Sequence, residues 1–204
     1  MKPLPAVIVA GGGASRMGGG DKCLLPLAGH PMLATIVERL AGQTAPLALN
    51  ANGDPDRFAA FGLPVLADTV SKPAGPLAGL LAAMDWAASA TGAQAVVTVA
   101  GDTPYLPVDL VQRLSEASAG SARVALAASQ NRLHPVFGLW PLAYREALVR
   151  YLVNSPTFRV ASFAQACGFV QVDFDFDGLD PFFNVNTPED LETAEAHFGK
   201  VDAR

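Results

Sequence analysis

Residues 7–22 read VIVAGGGASRMGGGDK, and they are the part of the chain best equipped for chemistry. A β-branched run enters a loop with six glycines between Gly11 and Gly20. Arg16 lies inside that loop, and Asp21-Lys22 closes it. Glycine takes positive φ without steric cost, so such a backbone can turn its N–H groups into a concave anion nest. Arg16 and Lys22 add fixed positive charge where phosphates would lie. The chemistry is phosphate binding. Two common cradles are excluded by spacing. A Walker A loop ends in Gly-Lys-Ser/Thr, whereas Lys22 lies between Asp21 and Cys23. A Rossmann fingerprint fits Gly11 and Gly13, but Arg16 holds the place of its third glycine. A flexible linker is disfavoured, because linkers seldom follow a buried strand or carry a lone Arg and Lys.

A phosphate loop needs a scaffold. Apolar runs at Pro5–Ala10, Leu47–Asn50, Pro64–Ala67 and Ala95–Ala100 read as strands buried on both faces. Amphipathic helices separate them. Met32, Leu33, Ile36, Val37 and Leu40 share one helical face, as do Leu77, Leu80, Leu81 and Met84. Alternating strands and helices predict a three-layer α/β/α, Rossmann-like fold with a mainly parallel twisted sheet. Further on, 109–114 reads as helix, 123–128 and 136–140 as strands, and 143–153 as helix. Thr187, Pro188 and Asp190 have the spacing of an N-cap, first helical residue and capping box for a last helix. The alternating run from Asp173 to Asp177 reads as a solvated edge strand. No repeat or second domain is evident, so residues 1–204 are expected to form one domain.

In an open parallel sheet, ligands bind beyond the carboxyl ends of the strands. The first four strands end at Gly11, Asn50, Asp68 and Gly101-Asp102, which would therefore line one rim. Each has a plainer reading. Asn50 and Asn52 are ordinary turn formers, and for Asn52 that reading is preferred. Asp68 reads equally well as a cap for the turn at Thr69. Asp102 could cap Thr103-Pro104-Tyr105, but a strand that delivers a carboxylate to a phosphate site favours a metal. Mg²⁺ takes one or two carboxylates plus phosphate oxygens and water, so Asp102 is the expected Mg²⁺ ligand. His30, His134 and His197 show no paired ligand spacing, and a structural role is preferred for His134.

Bulk properties narrow the class. Half of the 204 residues are apolar and 16% are charged, which excludes disorder. The longest uncharged stretch, Trp86 to Gly101, is too short and too polar for a membrane span. Two cysteines, Cys23 and Cys167, lack metal-type spacing and suit a reducing compartment. With no signal-peptide pattern, a cytoplasmic protein is expected. The net charge of −5 argues against nucleic acid. Positive charge is local: the first thirty residues carry +2 and the remainder −7. A small polyanion is the expected partner.

The ordered set of motifs resembles nucleotidyltransferases of the molybdenum cofactor guanylyltransferase type. It comprises Ala10–Lys22, Asn50-Ala51-Asn52, Asp68, Gly75–Gly79, Gly101-Asp102-Thr103-Pro104-Tyr105 and Asn184–Leu191, and spans nearly the whole chain. The resemblance implies transfer of GMP from GTP to the phosphate of molybdenum-bound molybdopterin, with Mg²⁺ as cofactor and pyrophosphate as by-product. It implies nucleotide contacts at Val9, Ala10, Gly11, Gly12, Gly13, Lys22, Asn50, Asp68, Leu77, Gly79 and Asp102. It implies catalytic roles for Arg16, Lys22 and Asp102. Arg159, Asn184 and Asn186 are the candidate pterin residues. Related cytidylyltransferases carry Ala-Ala-Gly where this chain has Ala10-Gly11-Gly12, and differ at Gly75–Gly79, so both segments look like the guanine type. Backbone carbonyls near Leu77 to Gly79 are the candidate acceptors for the base. The alternatives are a cytidylyl- or sugar-phosphate nucleotidylyltransferase of the same fold, or a non-catalytic GTP-binding protein that delivers the cofactor. Molybdoenzyme clients or delivery chaperones are conceivable partners, with no surface assigned to them.

Overall fold

The computed structural model describes residues 3–11, 20–70 and 74–201. Chain order begins with β1 (Ala6–Val9), a 3-10 turn at Lys22–Leu24, a small hairpin of β2 (Pro26–Leu27) and β3 (His30–Pro31), α1 (Met32–Ala41) and β4 (Leu47–Asn50). A 3-10 helix at Pro55–Phe61 leads to β5 (Val65–Leu66), α2 (Pro76–Ala90) and β6 (Ala95–Ala100). The second half adds α3 (Leu110–Ala117), β7 (Val124–Ser129), β8 (Arg132–Pro141), α4 (Arg145–Asn154), α5 (Val160–Cys167), β9 (Phe169–Asp173) and α6 (Pro188–Val201).

Seven strands form one sheet in the order β5-β4-β1-β6-β8-β7-β9. Neighbours are parallel except around β8, which runs antiparallel to both β6 and β7. Period-two alternation divides the strand residues between two cores. Ala6 and Ile8 join Val97, Val99 and Ala125 on the face covered by α1, α3 and α6. Val7 joins Val96, Leu126 and Trp140 on the face covered by α2, α4 and α5. The expected three-layer α/β fold is therefore present. Right-handed crossovers explain which helix goes where. The chain moves from β1 to β4 through α1 in one direction along the sheet. It returns past β1 to β6 through α2, on the opposite face. Between β1 and β6 the strand order reverses, and a crevice opens there at the carboxyl ends.

Three details depart from the sequence reading. The strand expected at 136–140 begins at Arg132, despite Pro135. A register shift between Leu126 and Ala127 leaves residues 135–137 outside the ladder, where a missing N–H is harmless. The edge strand is β9, and the run from Asp173 to Asp177 leaves it after Asp173. Phe174 turns inward instead, packed edge-on against Phe182 with the Arg113 guanidinium 4.2 Å above its ring. Helix α5 had no sequence signal. It lacks a side-chain cap, and it forms because Val160, Phe163 and Ala164 bury against the sheet. The last helix starts as expected: Thr187 Oγ1 accepts from the Asp190 N–H, and the Asp190 carboxylate accepts from the Thr187 N–H.

Candidate active site

The crevice holds a cleft of about 340 Å³. Its floor comes from the ends of two parallel strands: Val9, Ala10 and Gly11 after β1, and Ala100, Gly101 and Asp102 after β6. Asn50, Asp68, Gly75 and Pro76 close one side; Lys22, Cys23, Val136 and Asn184 close the other. Gly101 is required by close approach. A Cβ there would stand 3.0 Å from the Ala10 Cβ and 3.1 Å from its Cα. With glycine, the Gly101 N–H reaches the Val9 carbonyl at 3.0 Å and the two strand ends stay together.

On the β6 side, Lys22 and Asp102 form a half-buried ion pair at 2.6 Å, with 13% and 23% of their side chains exposed. Lys22 Nζ also donates to Asn186 Oδ1 at 2.6 Å. An ammonium has three N–H donors, so one is left for a ligand. Thr103 Oγ1 has one proton. It lies 2.6 Å from Asn184 Oδ1 and 3.4 Å from Asp102 Oδ1, so the donation goes to Asn184. Asp102 thus keeps one oxygen weakly engaged at the cleft wall. Its backbone carbonyl accepts from the Val185 N–H at 2.9 Å, which ties the loop before α6 to the end of β6.

On the β4 side, Asn50 and Asp68 are joined. Asn50 Nδ2 donates to Asp68 Oδ1 and to the Leu66 carbonyl, both at 3.0 Å. Asn52 Nδ2 donates to Asp68 Oδ2 at 2.8 Å, and Asn52 Oδ1 accepts from the Asp68 N–H at 2.9 Å. Asn52, read from sequence as a turn former, is thus part of the rim. Arg57 links this side to the end of the glycine loop. Its Nη2 donates to the Asn52 carbonyl at 2.6 Å, and its Nε lies 3.3 Å from Asp21. Neither Arg57 nor Cys23 had a motif to mark it.

Placement differs among the remaining candidates. Gly12, Gly13 and Arg16 lie outside the described residues. The Leu77 side chain, on α2, is fully buried in the core and does not line the cleft. The helix starts at Pro76, so the carbonyls near Leu77 and Gly79 face along the helix toward its own later N–H groups. Gly75 and Pro76 reach the cleft instead, with Gly75 at φ 55°. Gly79 acts through packing. A Cβ there would overlap Asn50 Oδ1 and stand 3.1 Å from Val9 Cγ1. Gly79→Ala should therefore push Asn50 off Asp68 and weaken nucleotide binding at least about tenfold, with the fold kept. Equilibrium dialysis beside a thermal melt checks this. Arg159 is exposed at the start of α5 and does not line the cleft.

Covalent catalysis by cysteine has little support. Burial, with help from Asp21, pushes the Cys23 thiol up to about 12. Burial pushes Cys167 up to about 11. Neither is a thiolate near neutral pH. A metal is better served. Among the described residues no three His, Cys, Asp or Glu side chains gather into a metal cluster. One weakly engaged carboxylate oxygen beside a phosphate-sized cleft suits a cation that takes its other ligands from phosphate and water.

An α/β sheet with a glycine loop after its first strand, a lysine at the loop's end and a carboxylate after the neighbouring strand defines a nucleotide-handling transferase. The comparisons with known proteins agree. Residues 6–164 match the model of the MobA-like NTP transferase domain, and the chain belongs to that family. It is 51% identical to the molybdenum cofactor guanylyltransferase of Mesorhizobium japonicum, over 95% of each chain. It is 50% identical to that of a Bradyrhizobium species, over 94% of this chain and 92% of the relative. Molybdopterin-guanine dinucleotide biosynthesis protein A from Archaeoglobus fulgidus shares the fold, with a TM-score of 0.74 and 18% identity over 97% of this chain and all of the other. The chain is a nucleotidyltransferase enzyme. No helix among the described residues is long and apolar enough to cross a membrane.

Proposed function

We propose that this enzyme transfers GMP from GTP to the terminal phosphate of molybdenum-bound molybdopterin, releasing pyrophosphate. The observation that carries the reading is the Lys22–Asp102 pair at the β1/β6 crevice, in a chain half identical to enzymes of that name. The triphosphate lies along Gly11, and Gly12, Gly13 and Arg16 are assigned to it from the sequence motif alone. Asn50 and Asp68 form the nucleoside side. Asn184 and Asn186, bonded to Thr103 and Lys22, form the acceptor side. Arg159 stands apart from this group and is assigned to the acceptor only if the pterin extends beyond the cleft.

The acceptor phosphate is ionised near neutral pH, so attack on the α-phosphorus in line with the leaving pyrophosphate needs no general base. That agrees with a cleft whose described lining has neither a histidine nor an ionised thiol. Lys22 and Arg16 stabilise charge on the departing pyrophosphate, and the cleft holds both substrates in line. Asp102 would hold Mg²⁺, which would neutralise charge on the phosphate oxygens. The paired Lys22 lessens the repulsion that a bare carboxylate would exert on the triphosphate. The guanine would be read at the Gly75–Gly79 segment, of which Gly75 and Pro76 line the cleft.

The test is the product. Incubation with GTP, Mg²⁺ and molybdenum-loaded molybdopterin should give a molybdopterin guanine dinucleotide detectable by mass spectrometry. GTP bound and recovered unchanged would instead indicate a binding and delivery protein.

A further inference from the structure

Ser129, His134 and Asp180 meet at the carboxyl end of β7 and have no place in the mechanism above. His134 Nε2 lies 2.7 Å from Ser129 Oγ. Ser129 Oγ lies 2.8 and 3.0 Å from the two Asp180 oxygens. A hydrolytic triad requires histidine between serine and aspartate. Here serine is in the middle and only 1% exposed, so it can neither hand its proton to the histidine nor reach a substrate. The proton directions follow from the donors available. A carboxylate only accepts, so Ser129 donates to Asp180 and must itself accept from the His134 Nε2–H.

The triangle joins the sheet to one loop. Ser129 ends β7 and His134 lies on β8, at the place where the ladder shifts register. Asp180 begins the segment leading to α6. Its Oδ1 also accepts from the Phe182 N–H at 2.9 Å, and its carbonyl accepts from the Phe183 N–H at 2.9 Å. The Phe182 ring stacks on His134 at 4.5 Å and meets Phe137 and Phe174 edge-on. Two and four residues beyond Phe182, Asn184 and Asn186 reach Thr103 and Lys22 respectively. The far end of the segment is fixed by the capping box of α6.

We infer that Ser129, His134 and Asp180 are positioning residues that latch segment 180–186 to the sheet and so set the acceptor side of the cleft. The acceptor part rests on the proposed function; the latch itself does not. Removing the central hydroxyl leaves the nucleoside side, on the opposite wall, untouched. Binding of GTP and binding of the acceptor phosphate therefore respond differently.

Two readouts of Ser129→Ala test this. Hydrogen exchange at the amides of 182–186 should quicken about tenfold, with β4 and β6 unchanged. The KM for the acceptor should rise about tenfold, with the KM for GTP within about twofold. Asp180→Asn, which keeps the one oxygen that accepts from both Ser129 and Phe182, should leave both values near wild type, whereas Asp180→Ala should shift both as Ser129→Ala does. His134→Phe keeps the stack without the donor and should fall between them. Unchanged exchange at 182–186, or faster exchange throughout the chain, would overturn the latch. Faster exchange with an unchanged acceptor KM would overturn its role in acceptor binding. An intact enzyme with no turnover on molybdopterin would overturn the proposed function, while exchange would still decide the latch.

Discussion

Lys22→Ala should lower kcat about a hundredfold, a loss of roughly 3 kcal/mol of transition-state stabilisation by analogy with removal of one oxyanion donor. The structure supplies the reason for a large effect. Lys22 is held by Asp102 and Asn186, each at 2.6 Å, so its ammonium is fixed in place before substrate arrives. A donor that is already oriented costs no reorganisation during reaction. The fold should survive. Asp102 is partly exposed, and water can solvate it once its partner is gone. Steady-state kinetics beside a thermal melt check both parts. A near-native kcat would remove Lys22 from the mechanism.

Asp102→Ala should be the more damaging change. On the proposed role of Asp102 as cation ligand, its loss should cost about 4 kcal/mol, or roughly a thousandfold in rate, since a divalent cation supplies several kcal/mol of charge stabilisation. The substitution also leaves Lys22 without its charged partner, free to move toward the phosphates or out of the cleft. The two residues act as one unit, and their losses should not add. The double variant should turn over scarcely more slowly than Asp102→Ala alone. Multiplied losses would mean that the pair works as two independent groups.

Much of this site was legible because strand ends are legible. The strands at Leu47–Asn50 and Ala95–Ala100 lie where the apolar runs placed them, and the sheet rule then gathered Gly11, Asn50, Asp68 and Asp102. The capping box of α6 was equally readable, because its signal is local. What escaped depends on long-range contact. Asn52 looks like any turn asparagine until Asp68 folds against it. Nothing near Arg57 in sequence points to Asp21, 36 positions away. The motif at Gly75–Gly79 marks a segment and not which of its side chains face the cleft; helix phase turns the Leu77 side chain inward and leaves Gly75 and Pro76 at the lining. His134 had no readable partner, since Asp180 approaches it only through Ser129 across the sheet.

The pairing of Lys22 with Asp102 also bears on the order of events. Before nucleotide binds, the two charges satisfy each other. A triphosphate takes the third donor of the ammonium, and a cation takes the weakly engaged oxygen of the carboxylate. Nucleotide and metal should therefore bind cooperatively, each offsetting the charge that the other meets across the pair.

The most direct test is pyrophosphate release measured in parallel with GTP and with CTP, each with Mg²⁺ and molybdenum-loaded molybdopterin. Release with GTP alone is the predicted result. Release with CTP alone would keep the transfer chemistry and contradict the guanine reading of the Gly75-Pro76 side. No release with either nucleotide, from a folded enzyme that binds GTP, would contradict molybdopterin as the acceptor.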